Sequence, residues 1–220
     1  VNNSILGASG CLTGSAATLS FTSTSSYTHS AFTTTSGFVP TATWDTASNI
    51  YITGGTTGTG VSGASGQTFG NFTYNSTTNA AATMSVFTSG TSIVKGNLNI
   101  IASGTGRFRA LTTGTLTVQG NLSVSGGIFE VSSSTGTLIV NGNVDISGGT
   151  FDVAQGGAST LRVLGNFVQT AGTIIQTATG GLLDFAGTVA QNLTVVSGAH
   201  GTNAVNVRVN NAAGVNLTAD

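Results

Sequence analysis

Charge is the first thing this chain lacks. Only 5% of its 220 residues are Asp, Glu, Lys or Arg, against about 25% in an average soluble domain. Five basic residues cannot coat a phosphate backbone, which excludes nucleic acid as a partner. The helix formers Leu, Glu, Lys and Arg are too scarce for a helical protein. Proline occurs once, at Pro40, so the abundant glycine is not that of collagen, which also needs a three-residue period. No apolar run approaches the ~20 residues of a membrane-spanning helix, and no membrane insertion is expected. The single cysteine, Cys11, cannot form an internal disulfide and reads as a small buried apolar residue.

What is present is hydrophobic residues at 39%, enough to drive collapse in a chain of net charge −1. Thr, Ser, Asn and Gly make up most of the remainder and must keep the surface wet. The chain opens at Val1 with neither methionine nor an apolar leader. It reads as a processed protein or an excised piece.

An internal repeat organises these residues. Gly-Asn-apolar recurs at Asn71, Asn97, Asn121, Asn143 and Asn166. The Asn positions step by 26, 24, 22 and 23. Asn49 precedes the first of them by a step of 22, and Gly187-Thr188-Val189 follows the last Gly by the same step. Three apolar columns keep this spacing. They are Phe108/Phe129/Phe151/Ile174, Leu116/Leu138/Leu161/Leu183 and Val118/Val140/Val163/Phe185. Between turn residues, each repeat carries short stretches of alternating apolar and polar residues, the period of half-buried strands.

The expected fold is therefore all-β, a parallel β-solenoid of about 22–24 residues and three short strands per coil. Right-handed winding follows from the usual crossover rule. Around ten coils would give a rod of order 45 Å at the ~4.8 Å strand spacing. The Asn column (Asn49, Asn71, Asn97, Asn121, Asn143, Asn166) is expected at one corner. There its amides either bond from coil to coil or simply tolerate a left-handed turn. The Gly before each Asn suits a positive φ. Residues 1–43 lack the signature and read as irregular early coils or a β-type cap before an array over 44–220. The last segment reads as an uncapped coil, so the array is expected to continue or to be covered by another molecule.

Some segments carry a resemblance. Gln67-Thr68-Phe69-Gly70-Asn71-Phe72-Thr73-Tyr74 and residues 207–217 look like coils of very large secreted surface proteins of Bacteroidota, which end in a type IX secretion sorting domain. The resemblance covers residues 44–220 and implies an extracellular, cell-surface, adhesin-like role, with other chains of a fibre or surface array, or host or substrate glycans, as partners. It supplies no catalytic residue. Asp45-Thr46-Ala47 is similar to the O-glycosylation signal of such bacteria, which would place a sugar on Thr46. Asn-x-Ser/Thr sequons fall at Asn71, Asn75, Asn121, Asn192 and Asn216.

Three other surfaces carry candidate chemistry. Arg109, Glu130 and Asp152 stack after the Phe column and are expected to point outward. There they form a solvated ion pair or, through the two acids, a cation (Ca²⁺) or glycan site. Trp44, Tyr51 and Tyr74 are candidate ligand aromatics for a carbohydrate-binding or carbohydrate-cleaving β-helix. Thr115/Thr117, Thr137/Ile139 and Thr160/Arg162 raise ice binding, with one Thr column kept and the other broken. His29 and His200 lie far apart with no acid nearby in sequence. No cofactor and no catalysis are expected.

Overall fold

The structure is a computed structural model that describes residues 16, 18–30, 37–54, 61–80, 83–196, 201 and 203–219. Cys11 and His200 lie outside the described residues, as do residues 1–15, 17 and 31–36 of the N-terminal segment. The described chain is all-β, without helix, and its strands pair in parallel as a β-solenoid of about 8 turns with about 23 residues per coil. The count of around ten coils divides the whole 220-residue length by the repeat, whereas the described residues make about 8.

The coils present three faces. The first stacks Ser26–His29, Asn49–Ile52, Asn71–Asn75, Leu98–Ala102 and Leu122–Val124, then the first halves of Val144–Asp152 and Phe167–Ile175, then Gln191–Val195 and Val215–Ala219. The second stacks Thr83–Ser85, Arg107–Leu111 and Ile128–Ser132 with the second halves of the two long strands. The third runs from Thr68–Phe69 through Thr91–Val94, Thr115–Val118, Thr137–Val140, Thr160–Val163 and Leu182–Phe185 to Asn206–Val209. The early pair Ser20–Phe21 with Thr43–Trp44 is parallel too, so stacking already operates within residues 1–43.

The register confirms the columns. Phe108, Phe129, Phe151 and Ile174 stack on the second face. The Leu116 and Val118 columns stack on the third. These side chains point inward and are buried, because alternation puts every second residue of a strand in the interior. Aromatic rings follow one another along the interior. They start at Phe21 and Trp44, whose rings lie 4.1 Å apart and nearly parallel. They continue from Tyr74 to Phe108 to Phe129 to Phe151, and end with Phe167 and Phe185 at 6.5 Å. Each such pair adds ~0.5–1.5 kcal/mol beyond the area it buries.

Candidate functional site

The third and first faces meet at the asparagine corner. Of the two expected readings, the coil-to-coil bond is the one present, and its partner in most steps is the backbone of the next coil. Oδ1 of Asn71 accepts the backbone N–H of Asn97 at 3.0 Å, and Oδ1 of Asn97 accepts that of Asn121 at 2.9 Å. The ladder continues from Asn121 to Asn143 at 2.8 Å, Asn143 to Asn166 at 2.9 Å, and Asn166 to Asn192 at 2.8 Å. The terminal steps join amide to amide, Asn71 Nδ2 to Asn49 Oδ1 at 3.2 Å and Asn216 Nδ2 to Asn192 Oδ1 at 3.3 Å.

The backbone explains why asparagine is needed. The N–H of Gly142 donates to Gly120 O at 3.0 Å, toward the preceding coil. The N–H of Val144 donates to Asn166 O at 2.9 Å, toward the following coil. Between these two lies Asn143, whose N–H still aims at the preceding coil. The carbonyl of Gly120 serves Gly142. The Asn143 donor needs an acceptor that the backbone does not supply, and the Asn121 amide provides it.

The glycine before each asparagine has a different role from the one expected. Gly96, Gly120, Gly142 and Gly165 do not have positive φ. A Cβ on any of them would fall closer than 3.0 Å to the Oδ1 of the preceding asparagine. They are small so that the amide can pass. Positive φ instead occurs one corner later, at Gly104, Gly127, Gly149 and Gly172.

The column also reaches further than its Gly signature. Gly187-Thr188-Val189 is not the next corner. Asn166 is followed by Asn192, and Asn192 pairs in register with Asn216. Gln191 stands where earlier corners have Gly. It is buried, accepting from Gly187 N at 2.9 Å and donating to Val163 O at 3.0 Å. The signal was available as Asn-apolar alternation, but a lengthened step and the missing Gly hid it.

The charged cluster on the second face is built differently from expectation. Glu130 is fully buried rather than solvated, and Asp152 is 1% exposed. Arg107 and Arg109 both bond the Glu130 carboxylate, Arg109 through Nε at 2.9 Å. Arg109 reaches on to Gln155 Oε1, at 3.2 Å, so its stem lies over the acid. Asp152 turns elsewhere. It accepts from the N–H groups of Ala154 and Thr177 and, at 2.6 Å, from the Thr177 hydroxyl. The two acids therefore do not converge on one point. Among the described residues no three His, Cys, Asp or Glu side chains gather as a metal-ligand set.

A second ion column went unread in the sequence. Arg162, Asp184 and Arg208 stack in register on the third face. Arg208 grips Asp184 with Nε and Nη2, both at 2.8 Å. The bonds to Arg208, with help from the Arg162 charge, hold the Asp184 carboxyl below its ordinary value despite its burial.

Two of the candidate ligand aromatics lie in the core. Trp44 is buried between Phe21 and Phe69, with its indole N–H toward Gln67 Oε1 at 3.3 Å. Tyr74 is buried against Phe108, and burial pushes its hydroxyl up to about 12. Tyr51 differs in lying on the outer side of the first face, in register with Thr28 and Thr73. Thr46 is exposed in a turn that Asp45 Oδ1 braces by accepting the Ala47 N–H at 2.9 Å. His29 is buried beside the Tyr27 hydroxyl, 2.9 Å from Nδ1, and burial lowers its pKa to about 4. On the third face Thr91, Thr115, Thr137 and Thr160 stack in register, and Ile93, Thr117, Ile139 and Arg162 form the neighbouring outer column.

No family model, curated protein or solved structure matches this chain.

Proposed function

We propose that the chain is a structural or adhesive β-solenoid segment of an extracellular bacterial surface protein, and that it works without catalysis. The observation that carries this reading is the asparagine ladder, which ties every coil from Asn49 to Asn216 to its neighbour in addition to the backbone pairing. Such a device serves continuity along the rod axis. The outer columns are mostly uncharged, which suits a long surface laid against other chains or glycans. The resemblance of the Gly-Asn coils to Bacteroidota surface proteins supports the same location.

Single-molecule pulling tests the mechanical part. Coils should detach in steps of ~80 Å, the extended length of one ~23-residue repeat. A single featureless extension at negligible force rejects a load-bearing role. Antibody labelling of intact source cells tests the location. Labelling that requires permeabilised cells overturns it.

One observation keeps ice binding as a second reading, namely the four-threonine column of the third face. Thermal hysteresis of the purified chain decides it, and none at millimolar concentration removes it.

A further inference from the structure

The parallel ladder of the third face has a break inside the array. Thr43–Trp44 pairs back to Ser20–Phe21, and Thr68–Phe69 pairs forward to Thr91–Val94. Among the described residues no backbone bond joins Thr43–Trp44 to Thr68–Phe69. Their side chains still pack inside, with the Trp44 and Phe69 rings 5.4 Å apart. The two coils therefore touch in the core and part at the outer surface. In a parallel strand, successive residues bond to opposite neighbours. The carbonyls of Gln67 and Phe69 accept from Ile93 and Lys95 of the next coil, which leaves the N–H and C=O of Thr68 facing the gap.

Two side chains cross this gap. Gln67 Oε1 accepts the Ala42 N–H and the Trp44 indole N–H, both at 3.3 Å, and Gln67 Nε2 donates to Pro40 O at 3.2 Å. Gln67 thus fills one end of the gap, and no extra strand can run through it. Lys95 reaches back from the next coil, and its Nζ lies 3.5 Å from Trp44 O. Between them is a cavity of about 310 Å³, lined by Thr41, Thr43, Trp44, Gln67, Thr68 and Lys95. That volume is at the lower end of the range for small-ligand sites. The lining holds one cation, several hydroxyls and no acid. Lys95 is the only lysine of the chain, is half-buried, and makes no ion pair among the described residues. Asp45, beside Trp44 in sequence, turns its carboxylate onto the Ala47 N–H. The Thr43 hydroxyl donates to Ala16 O and keeps its lone pairs for a donor.

We propose that this cleft binds one acidic sugar residue of a glycan. The sugar carboxylate sits against Lys95, a charge-assisted contact. Its ring hydroxyls meet the hydroxyls of Thr41, Thr43 and Thr68 and the N–H and C=O that Thr68 turns to the gap. A neutral sugar would leave Lys95 unpaired, and a bare anion would leave the hydroxyls and the Thr68 peptide groups unused. The proposal deepens the glycan-facing part of the reading above and rests on it for the presence of glycans. Its test is separate, because sugar binding can fail in a chain that labels at the cell surface and bears load.

The probe is the methyl glycoside of glucuronic acid, titrated onto the whole chain and followed by NMR. It should bind saturably and shift the Thr68 amide. The methyl glycoside of glucose and plain acetate should each bind at least tenfold more weakly. Lys95→Gln should weaken glucuronoside binding at least tenfold while the melting temperature stays within a few degrees. Thr68→Val leaves every charge and the Lys95 contact with Trp44 in place, and it should also weaken binding. Arg162 is exposed on the same face, three strand spacings or ~14 Å along the axis from the coil of Lys95. Arg162→Gln should leave binding unchanged. No saturable binding, equal binding of acetate or of the neutral glycoside, or an equal loss in Arg162→Gln overturns the proposal.

Discussion

Asn121 and Asn143 sit one coil apart, and the side-chain Oδ1 of the first accepts the backbone N–H of the second at 2.8 Å. Asn121→Ala removes that acceptor and leaves a partly buried N–H unpaired. The expected loss is ~1–3 kcal/mol in urea unfolding. Asn121→Asp keeps an oxygen in place and should lose less. Faster hydrogen exchange at the Asn143 amide in the alanine variant alone would locate the effect.

Gly142 lies under the same amide. In Gly142→Ala the new Cβ meets Asn121 Oδ1 and Gly120 O closer than 3.0 Å. The predicted cost is ~1–3 kcal/mol. Combining it with Asn121→Ala relieves one of the two clashes. The double variant should then lose less than the sum of the singles, as a double-mutant cycle by denaturation will register.

Glu130 is buried under two arginines, and Arg109 keeps little exposure of its own. Glu130→Ala should cost about 3 kcal/mol, because it leaves the mostly buried Arg109 without its carboxylate. Arg107 is partly exposed and can turn to water. Arg107→Ala should therefore cost less than Arg109→Ala, a ranking readable from thermal melts.

His29 stays neutral in the folded chain because burial lowers its pKa to about 4, against the usual ~6.5. As pH falls below ~6.5 the unfolded state takes up a proton that the native state refuses. Stability of the first coils should drop between pH ~6.5 and ~4 and then level off. Trp44 fluorescence, reporting from the same aromatic cluster, should follow that window. His29→Phe should abolish the slope.

Asp184 acts in a lower window. Its native pKa lies below the unfolded value because Arg208 holds the charged form. Its contribution is complete above the unfolded pKa of ~3.9 and is lost as pH falls through the native value. Asp184→Asn should flatten the acid limb of a melting-temperature profile below pH ~4 and leave the His29 window unchanged.

The interior was legible in the sequence because a stacked coil repeats its side-chain pattern at fixed distance. Phe108, Phe129 and Phe151 were visible as a column before their strands were placed. Outer positions were less legible. Alternation places Glu130 outward, but it cannot say that an arginine from the preceding coil will lie across it. Residue type makes Trp44 a candidate ligand aromatic, yet its register with Phe21 puts it in the core. The corner was half-legible. Asparagine and its step stood out, whereas the acceptor logic needs backbone directions that no residue name carries. Asn192 and Asn216 were hidden by the loss of glycine at Gln191 and Val215.

The asparagine ladder also has a direction in time. The side-chain acceptor for each corner N–H from Asn97 to Asn192 belongs to a residue earlier in the chain. A chain that emerges N-terminus first, from a ribosome or through a membrane, finds that acceptor already in place. Each new corner then closes on the coil before it, and the growing end remains the unfinished one.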